Sequence, residues 1–171
     1  MIDMKFVGMA SVLGAMQRMR QSVPRASILG MKAATEFLRG YITSKKLSGQ
    51  ILKVGRVAKR RAGMRYGQHL RSSIKSGQYL VGGGVVGIVY SELIYSRIHE
   101  LGGDIYPVNA PYLHFYHGGH WVKTQHVHIP ARPYMYPSLM ESANRINQIL
   151  GEKFVATVIT EGTKLSGVKY G

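Results

Sequence analysis

Cysteine is absent from this sequence, which excludes disulfide bridges and thiolate metal ligands and leaves the redox compartment open. Also missing is any uninterrupted apolar run of the ~18 residues a bilayer span requires, so no membrane partner is expected. The beginning of the chain, Met1-Ile-Asp-Met-Lys-Phe6, lacks the basic segment, apolar stretch and small-residue cleavage site of an export signal. Acidic residues are scarce: 8 Asp+Glu stand against 23 Lys+Arg, for a formal charge of +15. Such a field attracts polyanions, nucleic acid first and acidic protein surfaces second. No nucleophile elbow, no pair of neighbouring carboxylates and no phosphate-cradling loop is found, so neither catalytic residues nor a cofactor are expected.

At 171 residues the chain is long enough for one ordinary hydrophobic core, and one domain is the expectation. Within it the pattern separates a helical amino-terminal region (1–45), a β-rich core (46–132) with a basic loop (55–67), a carboxy-terminal helix (133–161) and a tail (162–171). Asp3 can cap a helix from about Met4 to Gln21, and Pro24 suits the first turn of another reaching about Thr43, with Ile28, Met31, Phe37, Leu38, Tyr41 and Ile42 on its apolar face. A helical pair, or one long helix kinked near Val23 and Pro24, satisfies this pattern equally. Strand-like runs follow at 48–54, 71–75, 78–82 and 85–90, then at 105–106, 112–116 and 121–129, separated by glycine and proline turns. Gly82-Gly-Gly84 is one such turn and lacks the strand-to-helix setting of a phosphate loop. Pro137 opens the last helix, with Leu139, Ala143, Ile146, Ile149, Leu150, Phe154 and Val158 on one face and Gly151 inside it. The fold class that results is α+β: helices at both ends packed on a mostly antiparallel sheet of about four to six strands, with long loops or hairpins for subunit contacts.

Three groups of residues invite a functional reading. Five of the seven histidines, His114, His117, His120, His126 and His128, lie close together. Clustered imidazoles can hold zinc, yet strand alternation sends His114 and His117 to opposite faces and only Asp104 is a nearby carboxylate, so a wet hairpin without metal is expected. The interval between Glu36 and Glu92 has no acidic residue, and within it Lys53, Arg56, Lys59, Arg60, Arg61, Arg65 and Arg71 concentrate positive charge. Those residues can contact phosphates or an acidic partner, and solvated loop charge is the alternative; with Tyr66 the one Phe, Tyr or Trp between Lys53 and Arg71, base stacking has little support. His99 and Glu100 stand together, where Glu100 is expected to hold backbone donors or an arginine such as Arg132.

The third group belongs to a larger pattern. Tyr95-Ser-Arg-Ile-His-Glu-Leu-Gly-Gly103, a strand pair ending at Trp121-Val-Lys123, and Ile129-Pro-Ala-Arg-Pro-Tyr-Met-Tyr-Pro-Ser-Leu139 leading into a terminal helix resemble the virion morphogenesis and tail-completion proteins of tailed phages. Upstream, Leu47-Ser-Gly-Gln-Ile-Leu-Lys-Val54 and Leu70-Arg-Ser-Ser-Ile74 are similar to that family's strand-turn-strand segment, and the likeness spans roughly residues 28–150. Residues 55–67 depart from it as a basic insertion. The resemblance implies a non-enzymatic virion protein, assembled in the host bacterial cytoplasm, that forms a homo-oligomeric ring at the head-to-tail junction. The resemblance also implies sixfold or twelvefold symmetry, in keeping with the closure of head-to-tail interfaces into rings. Neighbouring neck and tail proteins are the implied partners, together with packaged DNA in the channel. On this reading Tyr95, Ile98, His99, Glu100, Gly102, Gly103, Pro130, Arg132 and Pro133 are structural anchors. The alternative is a small basic nucleic-acid-binding protein using residues 53–71 on phosphates.

Overall fold

The structure, a computed structural model, describes residues 9–47 and 70–163. It is an α+β fold with the element order α1 (Met9–Tyr41), a π-helical turn (Ile42–Lys46), α2 (Leu70–Ser73), β1 (Ile74–Val81), β2 (Gly84–Ser91), α3 (Ser96–Leu101), β3 (Gly103–Ile105), β4 (Leu113–His117), β5 (His120–Thr124), β6 (Val127–Ile129) and α4 (Tyr136–Thr163). The expected strand at 48–54 and most of the basic loop's charges lie outside the described residues.

Of the two arrangements open for the amino-terminal region, the single long helix forms, with Pro24 inside it. Proline removes the N–H that would meet the Arg20 carbonyl. Nearby, the Ser22 hydroxyl donates to the Met19 carbonyl and that of Ser27 to the Val23 carbonyl, at 2.7 and 2.9 Å. The strand expected at 71–75 begins three residues late, because Leu70–Ser73 is a helical turn held by the Ser73 hydroxyl on the Leu70 carbonyl at 2.7 Å. The run expected at 121–129 divides in two. The Thr124 hydroxyl binds both backbone groups of His126, an alternative to the strand ladder that ends β5.

Among the described residues the strands form three two-stranded pairs, β1–β2, β3–β6 and β4–β5, in place of one continuous sheet. Two close through two-residue glycine turns, Gly82-Gly83 with φ of 54° and 83° and Gly118-Gly119 with φ of 58° and 89°; positive φ at both positions matches the right-handed twist of the strands. The third pair is nonlocal: Gly103 faces Ile129, Asp104 faces His128 and Ile105 faces Val127, with the β4–β5 hairpin inserted between them.

Tertiary contacts gather the described residues into two compact units that interleave along the chain. Of the described residues, the first draws on 9–40, 76–89 and 142–163, the second on 41–47, 70–75 and 90–141. In the first unit, α1 buries Ser22, Ala26, Gly30 and Ala34, small residues recurring every fourth position. Their size permits close approach. A Cβ on Gly30 would stand 3.1 Å from the Leu150 carbonyl oxygen of α4, and one on Gly87 of β2 would stand 2.5 Å from Thr35 and 2.6 Å from Met31 of α1. Arg25 and Glu161 tie the same two helices at 3.5 Å. Along α4, Ile146, Ile149, Leu150, Phe154 and Val158 are half-buried as the periodicity predicts. Leu139 is 39% exposed, and the serines beside it, Ser138 and Ser142, are the buried residues of that turn. The second unit contains both anchor stretches and the β4–β5 hairpin.

Candidate functional site

The two anchor stretches meet in the second unit. After α3, the chain turns sharply at Gly102, whose N–H returns to the Ile98 carbonyl at 2.8 Å. With φ of 71°, Gly102 occupies the left-handed region, and a Cβ there would lie 2.7 Å from the Ala131 backbone nitrogen. Only glycine lets the Pro130-Ala131-Arg132 backbone pass this close. The Arg132 N–H then donates to the His99 carbonyl at 2.8 Å, and β3 pairs with β6 in the register above.

Glu100 completes the joint. Its carboxylate accepts the backbone N–H groups of Tyr134 and Met135 on one oxygen, at 2.7 and 3.0 Å, and that of Tyr136 on the other, at 3.0 Å. These donors lead into α4, where backbone N–H groups have no intrahelical acceptor and the helix dipole favours negative charge. Of the two partners expected for Glu100, the backbone is the one present; Arg132 forms no ion pair with it and contributes through its main chain. Tyr134, 4% exposed, packs beneath, and burial pushes its phenol up to about 12, with the charge of Glu100 adding to the effect. His99 stands edge-on to Tyr95 with ring centroids 5.8 Å apart. Burial, and after it the Arg132 guanidinium, hold its imidazole below the ordinary range, which favours the neutral ring. Ile98 lies against Gly103, while Pro130 and Pro133 are exposed in the lead-in to α4. A carboxylate engaged by three backbone donors serves as a helix cap.

The other sequence candidates are dispersed. His114 lies tilted against Trp121 with centroids 4.8 Å apart, His126 stacks on Tyr106 at 5.9 Å, and His128 meets Asp104 at 3.0 Å across the β3–β6 pair. Among the described residues no three His, Cys, Asp or Glu side chains gather as a ligand set. Lys53, Arg56, Lys59, Arg60, Arg61 and Arg65 lie outside the described residues, and Arg71 is exposed on α2. Lys46 and Tyr41 both reach Glu141, at 2.6 and 2.9 Å. These two bonds, that of Lys46 foremost, lower the Glu141 pKa, while the bond to Glu141 raises that of the Tyr41 phenol.

Two features escaped the sequence reading. Tyr134 becomes the buried centre of the joint, although its neighbours Tyr136 and Met135 read no differently in sequence. The hairpin aromatics divide by face: Phe115 and Val122 turn inward as a cross-strand pair, leaving Tyr116 and Trp121 55% and 65% exposed. Alternation along the strand carries that second signal. No family model, curated protein or solved structure matches the chain. Among the described residues no helix is long and apolar enough to cross a membrane.

Proposed function

We propose that this chain is a structural subunit of a tailed-phage virion, a tail-completion or neck component that assembles with copies of itself as a ring at the head-to-tail junction. The observation that carries the reading is the imbalance of apolar burial. Among the described residues the buried apolar side chains are Ala26, Ala34, Ile42, Leu70, Ile74 and Tyr134, two of them alanines, whereas Leu13, Met16, Leu80, Trp121, Val155 and Ile159 are each more than half exposed. A part with so thin a core and so much exposed apolar surface gains its remaining burial from partners. The family likeness of the two anchor stretches supplies the identity of the assembly, and their closure through Glu100 gives them a scaffold role that needs no chemistry.

Neighbouring neck and tail proteins are the proposed partners of residues 55–67 and 104–127, and the positive charge is proposed to face acidic partners or DNA in the channel. Light scattering on the full chain, alone and mixed with capsid-portal and tail-tube components, tests this. A mass of several subunits, and closed rings by electron microscopy, are expected; a monomer under both conditions overturns the reading. One observation favours a second reading, phosphate binding by the acid-free interval from Glu36 to Glu92. It requires retention on a DNA column that falls steeply with salt and persists in a chain that does not self-associate.

A further inference from the structure

Strand β2 is apolar on both sides from Val85 to Val89. In β2 the inward face is fixed by Gly87, whose missing side chain lets the strand press on Met31 and Thr35 of α1. Alternation then puts Val86 and Ile88 on the opposite face. Gly77 of β1 belongs with them, since a Cβ on it would stand 3.6 Å from Ile88, and the same alternation adds Tyr79 and Val81. These four side chains are 38%, 37%, 50% and 53% exposed. A two-stranded ribbon with one solvated face ordinarily alternates apolar with polar residues, and a near-continuous apolar run such as Val85-Val-Gly-Ile-Val89 is the pattern of a strand covered on both faces.

From Ser76 to Val89 the ribbon has no charged side chain, no histidine and no proline. Strand edges in soluble proteins are usually guarded against pairing by lysine, proline, bulges or inward charges; the ribbon has one such residue, Lys75 near the start of β1, which is held by Glu92 at 2.5 Å, and Ser76 to Val89 carries none. The lack of charge also favours one kind of occupant. Two copies of a chain of formal charge +15 repel one another, and the repulsion at contact is least where neither presents a charge. A foreign partner chosen for its acidity would be drawn to the basic surfaces instead. We propose that the outer face of the β1–β2 ribbon, at Tyr79, Val81, Val86 and Ile88, is the place where a second copy of this chain docks. This rests on the self-assembling subunit proposed above and names the surface it uses.

The absence of cysteine makes the test clean, because Ile88→Cys introduces the sole thiol. The full chain carrying that substitution is titrated in concentration while its mass is followed by sedimentation and its thiol by maleimide labelling. Labelling is expected to slow by roughly tenfold or more as the oligomer forms, with the same concentration midpoint as the rise in mass. A second variant, Ile88→Lys, is expected to remain monomeric with the helical circular dichroism of the parent; should it fail to fold, the thiol measurement decides alone. An oligomer in which Cys replacing Ile88 labels as fast as in the dilute chain, or an Ile88→Lys chain that assembles like the parent, overturns the docking surface and leaves self-assembly standing. A parent chain that stays monomeric at every concentration overturns both. Protection that arises only on adding another virion protein overturns the second copy in favour of a foreign partner.

Discussion

The Glu100 carboxylate does the work that a serine or aspartate beside a helix usually does, yet it comes from 34 to 36 residues upstream of the donors it caps. A local cap secures only its own helix; this one also fastens α3 to the start of α4. Glu100→Ala leaves three N–H groups without their acceptor and is expected to cost ~3 kcal/mol or more, with Glu100→Gln costing less, measured by urea denaturation. The neighbouring His99 sets a pH dependence. Its folded-state pKa lies below the ordinary 6.5, so the unfolded chain binds the proton more readily. Stability is therefore full above that value and declines as pH falls below it toward the folded-state pKa. The decline in urea midpoint between pH 7.5 and 5.5 is expected to be shallower in a His99→Gln chain. A structural role for Glu100 was legible in the sequence, though backbone donors and an arginine such as Arg132 stood equal there as its partners. Tyr134 as the buried member was not, since burial there depends on where a distant carboxylate aims the chain.

Elements were legible where backbone constraint is local. Paired glycines marked both hairpin turns, and Pro137 marked the start of α4, because positive φ and a fixed φ are properties of single residues. Burial along α1 was harder to read. Its hidden positions are Ser22, Ala26, Gly30, Ala34 and Thr35, and a reading weighted toward large apolar residues passes over a stripe whose purpose is to be small. Two of the helical glycines, Gly30 and Gly151, look alike in sequence and differ in packing. A Cβ on Gly151 would meet nothing within 4 Å, so Gly151→Ala is expected to stabilise the protein by ~1 kcal/mol, seen as a raised midpoint in thermal circular dichroism. The division of the six described strands into three ribbons was hidden for another reason. Alternation tells a strand which face to bury and says nothing about which hairpin lies beside which.

For the whole molecule the sequence indicated an α+β class and a lopsided charge, and the structure adds that apolar surface remains uncovered. The assembly expected from that surface belongs to this scale, as does its dependence on salt. A ring of subunits each formally +15 should tighten as ionic strength rises, because screening weakens the repulsion between copies while apolar contact persists. DNA contact through the same charges would weaken instead. The interleaving of the two units bears on how the chain comes to be folded at all. The first unit needs segments from the beginning, middle and end of the sequence, including residues from Ser142 onward. On the ribosome, α1 must therefore wait, its small-residue stripe unsatisfied, until α4 emerges. Neither unit can be cut out as a contiguous fragment, and a chain truncated before Ser142 would lose the helix against which Gly30 packs, so folding is a property of the finished polypeptide.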